Sequence, residues 1–187
     1  LDDEFKKDKE IASLAIDYQG GMQLQYVDNS LKKDKDFILQ VMQLSAYLEY
    51  VDDSLKKDKD VVIEAIKFDP NNIDFADDSL KKDRDIVLAA IKNYGSLEYA
   101  DDEFKKDRDI VLIAIKQAGS ALEYADDSLK KDKDIVLIAV KQDGFALEYA
   151  DDSLKKDKDI VLAAVKQDGY ALRYADDSLK KDKDIVL

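Results

Sequence analysis

The chain writes one twelve-residue phrase again and again: "DDSLKKDKDIVL" stands at residues 151–162 and, letter for letter, at 176–187. The aspartate that opens it recurs at Asp2, Asp28, Asp52, Asp77, Asp101, Asp126, Asp151 and Asp176, in steps of 26, 24, 25, 24, 25, 25 and 25 residues. A unit of about 25 residues is too short to bury an apolar face by itself, so a period of this length restricts the chain to folds in which each unit stacks on the next. A complete unit reads "YADDSLKKDKDIVLIAVKQDGFALE" (124–148), and the 187 residues hold seven near-complete copies and a truncated eighth. The late copies are nearly identical and the early ones have drifted, so the chain can be aligned with itself.

That internal alignment decides between strand and helix for the apolar run that follows the phrase. Counting seven positions from Ile135, the fourth is Leu14, Gln40, Glu64, Ala89, Ile113, Ile138 or Ala163. A position that accepts charge is at least partly exposed. Positions one, two, five and six are apolar in every full copy, and position three is apolar except at Ser13. A strand would place two, four and six on one face. At about 100° per residue, positions one, five, two, six and three instead fill one continuous arc, with four and seven outside it. The pattern predicts a helix, here called helix B, over Lys133–Gln142.

Both ends of helix B are marked. Asp132 stands where an N-cap belongs and Asp134 in the first turn, where a carboxylate meets unpaired N–H groups and the positive end of the helix dipole. All six glycines fall in the turn after helix B, at Gly20, Gly21, Gly95, Gly119, Gly144 and Gly169, where a positive φ is expected. The third copy has "DPNN" (69–72) there instead, with Asp69 as a cap and Pro70 at a first helical position. The stripe Leu147, Ala150, Leu154 then predicts a short helix A near Phe145–Asp151 and a tight turn through "DSLKKD". The expected fold is all-α, an α-solenoid of about seven and a half two-helix repeats, with residues 1–187 forming a single array.

At this point the wording "GFALEYADDSLKKDKDIVLIAVKQDG" (144–169) resembles the tandem repeats of domain of unknown function 4116, whose pattern has "ALEYA", a polar turn, "LKxDKE" and "VVLAAVKQNG". The resemblance covers essentially the whole chain. The first two copies depart most, at Ser13, Gly21 and Met42. It implies a helical repeat protein and supplies no catalytic residues.

Chemistry finds little footing. The chain has no His, Cys or Trp, and its formal charge is −13. An acidic surface disfavours nucleic acid and anionic membranes as partners, and no apolar stretch is long enough to span a bilayer. Carboxylate pairs abound but are periodic, whereas a catalytic pair needs one environment unlike the rest. The expectations are no enzyme, no cofactor and no metal site; the "DD" columns lack calcium-loop spacing and read as a solvated edge, with a divalent-ion surface module a weaker alternative. The phrase "KKD", then Lys or Arg, then Asp or Glu, reads as caps and inter-copy pairs rather than a recognition ridge. The aromatic column Tyr26, Tyr50, Phe75, Tyr99, Tyr124, Tyr149 and Tyr174 is expected in the core, with hydroxyls at the edge.

The function expected is a non-enzymatic scaffold for protein–protein interaction; the alternative is a structural spacer or self-associating repeat. A private binding site is sought where the copies differ most, around Tyr18, Met22, Tyr47 and Phe68. Neither end carries an atypical capping repeat, so the array is expected to continue in a longer chain. The apolar face of Ile160, Val161, Val165 and Leu172 is expected to be partly uncovered and to favour end-to-end association.

Overall fold

The computed structural model describes residues 5–44, 47–92 and 97–186, and among them every regular element is helical. Asp2, Gly95 and Leu187 lie outside the described residues. The chain forms two compact units, Leu1–Gly95 and Ser96–Leu187, and each is an α-solenoid stack of repeats.

The second unit shows the repeat at its most regular. Its helices B are Arg108–Gln117, Lys133–Gln142 and Lys158–Gln167. Asp132 caps the middle one by accepting from the N–H groups of Asp134 (2.9 Å) and Ile135 (3.2 Å). Ile135, Val136, Ala139 and Val140 are fully buried, while Leu137 and Ile138 are half-buried and Lys141 is exposed. Position three therefore lies on one flank of the buried arc, beside position seven, and position four lies on the opposite flank, beside position one.

Between helices the chain takes two further short helical pieces. Helix A is a 3₁₀ helix, Gly144–Tyr149, capped by Asp143 through the Phe145 N–H. The turn through "DSLKKD" is itself a one-turn helix, Asp127–Lys130 or, one copy later, Leu154–Lys156. The predicted stripe is buried at Leu147, Ala150 and Leu154. The main chain also joins adjacent copies: the N–H of Asp126, Asp151 and Asp176 donates to the carbonyl of Lys105, Lys130 and Lys155, each at 3.0 Å.

The glycines correct the expectation of positive φ. Among the described residues only Gly20 has it, at 88°. Gly119 and Gly144 are held instead by crowding. A Cβ on Gly119 would stand 2.6 Å from the Ala139 carbonyl oxygen, and one on Gly144 2.6 Å from that of Ala164. The small column of helix B, at Ala139 and Ala164, is thus the place where the next helix receives the preceding turn.

The first unit has helices B at Lys9–Gln19, Lys35–Met42, Lys59–Phe68 and Arg84–Lys92. Its turns are less regular. Asp69 caps the 3₁₀ helix Pro70–Phe75 through the Asn71 N–H, with Pro70 in the first helical position as the sequence indicates. In the second copy the described 3₁₀ helix is Leu48–Tyr50, and its first N–H, that of Leu48, needs an acceptor. Asn72 of the next copy supplies it. Its Oδ1 accepts from Leu48 at 2.9 Å, and its Nδ2 donates to the carbonyls of Ala65 and Asp69 at 3.1 Å each. Asn72 is the one buried polar side chain among the described residues. Asn72→Ala installs the residue that Ala121 and Ala146 provide elsewhere, yet it is expected to cost about 1–3 kcal/mol, because a buried N–H loses its acceptor. Chemical denaturation checks this; an unchanged midpoint would mean that water takes over the bond.

Candidate functional site

The charged phrase is satisfied inside the array. The lysine that begins helix B reaches the N-cap and first-turn aspartates of the next helix B. Lys133 lies 2.7 Å from Asp157 and 3.3 Å from Asp159; Lys158, 2.9 Å from Asp182 and 2.6 Å from Asp184; Lys35, 2.9 Å from Asp58 and 2.8 Å from Asp60. The second lysine of "KK" faces the opening aspartate of the next copy, as in Lys57–Asp77 (3.6 Å) and Lys131–Asp151 (4.0 Å). The first folds back three residues, as in Lys155–Asp152 (3.3 Å). These exposed pairs are individually weak. Their constancy reflects register between copies, and most aspartates of the phrase cap a helix or pair with a lysine.

Asp126, Asp151 and Asp176 each accept from the serine two residues on, from both its hydroxyl and its backbone N–H. Those bonds hold the carboxyls of Asp126, Asp151 and Asp176 below their ordinary 3.8. A depressed folded pKa gives stability that is present above 3.8 and lost as pH falls through the lower folded value. The bonds of Lys133 to Asp157 and Asp159, and of Lys158 to Asp184 and Asp182, raise both lysines above 10.5; that contribution is present below 10.5 and lost as pH rises through the higher folded value. Thermal melts are therefore expected to be flat from about pH 5 to 9 and to fall below about pH 4 and above about pH 10.5. A midpoint already falling between pH 7 and pH 5 would contradict the assignment.

Shallow depressions of about 320, 400 and 270 Å³ recur where one copy meets the next. Each is lined by the same set, for example Asp152, Lys155, Lys156, Tyr174, Ala175, Asp176 and Asp177. Repetition in three places identifies them as seams of the stack. Among the described residues no three acidic side chains are gathered as a metal site would need, and no helix is long and apolar enough to cross a membrane.

The aromatic column does not sit in the core. It closes each 3₁₀ helix at the edge, where Tyr26 is 57% and Phe75 40% exposed and Tyr149 and Tyr174 are half-buried. The Tyr174 phenol hydrogen-bonds to Glu148 in the preceding copy, and that bond, with burial, raises its pKa. Tyr149 is raised first by burial, then by the charges of Glu123 and Glu148. These rings brace neighbouring edges. At the far end of the second unit, Ile160 and Val161 are fully buried, contrary to expectation, while Val165 and Leu172 are half-buried.

All four residues singled out from the sequence are exposed: Tyr18 at 83%, Met22 and Phe68 at 52%, and Tyr47 at 39%. Tyr18 and Phe68 hold the same place, the eighth position of helix B. Met22 lies in the 3₁₀ helix Gly21–Tyr26. Tyr47 packs its ring against Tyr50, with centroids 6.3 Å apart. The selection missed Leu44, the eighth position of the second copy, and Leu14, one turn before Tyr18; both are exposed. Reading the eighth column down the chain gives Tyr18, Leu44, Phe68, Asn93, Gln117, Gln142 and Gln167. Its change from apolar to polar was the signal.

A model of the family described as Domain of unknown function (DUF4116) matches residues 8–56, 34–81, 58–105, 83–130, 107–155, 132–180 and 157–187. Every match begins on the capping aspartate of a helix B, from Asp8 to Asp157, and all but the last span about two copies. Comparison with curated proteins and with solved structures gave no match. With family matches running in register from residue 8 to residue 187, the chain belongs to the DUF4116 family as a tandem array of its repeats.

Proposed function

We infer that the array is a non-enzymatic scaffold that binds another protein through the first unit. One observation carries this reading. Among the described residues the large exposed apolar side chains, including Leu14, Tyr18, Met22, Leu44 and Phe68, fall in the first unit, and Tyr170 is the exception. Elsewhere the lysines and aspartates are occupied with one another, which suits a framework. Apolar side chains held out in water by a stable framework are the usual mark of a docking surface. Affinity capture with the full chain from a lysate of the source organism, followed by reconstitution with the purified partner, tests it. A stoichiometric complex supports the reading. If the chain instead only self-associates, as sedimentation across a concentration series would reveal, the spacer reading replaces it; the near-identity of the later copies favours that alternative.

A further inference from the structure

The outward faces of the first two helices B form one surface. Leu14 and Tyr18, four residues apart on Lys9–Gln19, share a stripe and are 55% and 83% exposed. Leu44 holds the sequence place of Tyr18 one copy later, in the turn just past the helix Lys35–Met42, and is 40% exposed. Gln40 Nε2 lies 3.4 Å from Ser13 Oγ, which sets the two outward faces side by side.

The charge on this surface is of one sign. The seventh position of helix B is lysine from the third copy onward, at Lys67, Lys92, Lys116, Lys141 and Lys166, but Asp17 and Gln43 in the first two. No Lys or Arg stands between Glu10 and Leu31, or between Asp36 and Leu55. Asp60 is paired with Lys35, whereas Lys9 reaches Asp34 and leaves Asp36 outside the ladder. Glu10 and Asp17, also exposed, stand outside it as well. An apolar stripe edged only by carboxylates complements a segment with apolar side chains on one face and cations beside them.

We propose that this face docks a cationic amphipathic helix of a partner protein, its apolar side chains on Leu14, Tyr18 and Leu44 and its Lys or Arg against Glu10, Asp17 and Asp36. The proposal rests on the scaffold reading and gives it a partner chemistry. A second copy of this chain fits poorly, since it brings a formal charge of −13 to an acidic face.

The test uses the full chain and three labelled 14-residue peptides: a Leu/Lys amphipathic helix, the same pattern with Glu for Lys, and a Lys/Ser peptide of equal charge. The Leu/Lys peptide is expected to bind saturably, and the other two at least about tenfold more weakly. Tyr18→Ser with Leu44→Ser is expected to weaken binding about tenfold or more. Asp17→Lys is expected to weaken it most at low salt. Gln142→Ser, at the same helix position in the second unit, should leave it unchanged. These positions are exposed, so the fold is not at stake, and circular dichroism checks it. Equal binding of the Lys/Ser peptide, or no loss in the Tyr18/Leu44 variant, overturns the proposal. So does self-association that this variant abolishes, which would make a second copy the occupant. A natural partner that still binds the Tyr18/Leu44 variant overturns this site and leaves the scaffold reading standing.

Discussion

Ala139→Asp is expected to destabilise the second unit by about 3–5 kcal/mol, because a carboxylate would be enclosed with no partner. Ala139 is fully buried, as are Ile135, Val136 and Val140 around it. The neighbouring Ile138→Asp is expected to cost less than about 1 kcal/mol. Ile138 is half-buried and belongs to the column in which the third copy carries Glu64. The two variants differ by one position on the same helix, so propensity and net charge largely cancel in the comparison. Denaturant midpoints measured side by side check it. Equal losses would mean that helix B is rotated from the orientation described.

Gly144→Ala is expected to cost about 1–3 kcal/mol through overpacking, and the same change at Gly169, tested in this 187-residue chain, is expected to be neutral or to stabilise by about 0.4–1 kcal/mol. Neither glycine has a positive φ, so the backbone accepts alanine at both. The difference lies in what the new methyl meets. At Gly144 it meets the Ala164 carbonyl oxygen at 2.6 Å and Gln167 Oε1 at 2.9 Å, and at Gly169 nothing within 4 Å. Gly144 also donates its N–H to that Gln167 oxygen at 2.7 Å, so yielding at the side chain would strain a bond already made. Pro70 fills the equivalent place in the third copy. Thermal melts of the two variants decide the point; indistinguishable melts would show that the seam between helices gives way easily.

Helix B was legible because its evidence is periodic and redundant. Seven versions of one stretch show which positions tolerate charge, and a capping aspartate fixes the register, so the predicted span Lys133–Gln142 is the observed one. Helix A was legible as a buried stripe but not as a 3₁₀ helix. Spacings of three and four suit both forms, and the tighter one covers more distance in the same six residues, at about 2.0 Å rather than 1.5 Å per residue. The glycines misled because conformation and crowding both select glycine, and only the neighbouring carbonyl reveals which applies. The aromatic column misled for a related reason. A ring recurring once per copy suits an inter-copy seam whether that seam is central or at the rim. Of the candidate surface, Tyr18 and Phe68 stand out in the sequence as aromatic, whereas Leu44 carries no such mark and is distinguished by its exposure.

The main-chain bonds from one copy to the next bear on how such a gene changes. Removing residues 126–150 would join Ala125 to Asp151, and the seam would read as it does elsewhere. The Asp151 N–H would find the Lys105 carbonyl in place of that of Lys130. Arg108 would face Asp157 in place of Asp132, and Gly119 would seat against Ala164 in place of Ala139. A cut of 12 residues would instead set a polar phrase against an apolar face. Whole-period gains and losses are therefore close to silent for folding and fractional ones are not, so unequal recombination between identical phrases can adjust the length of the array while every intermediate still folds.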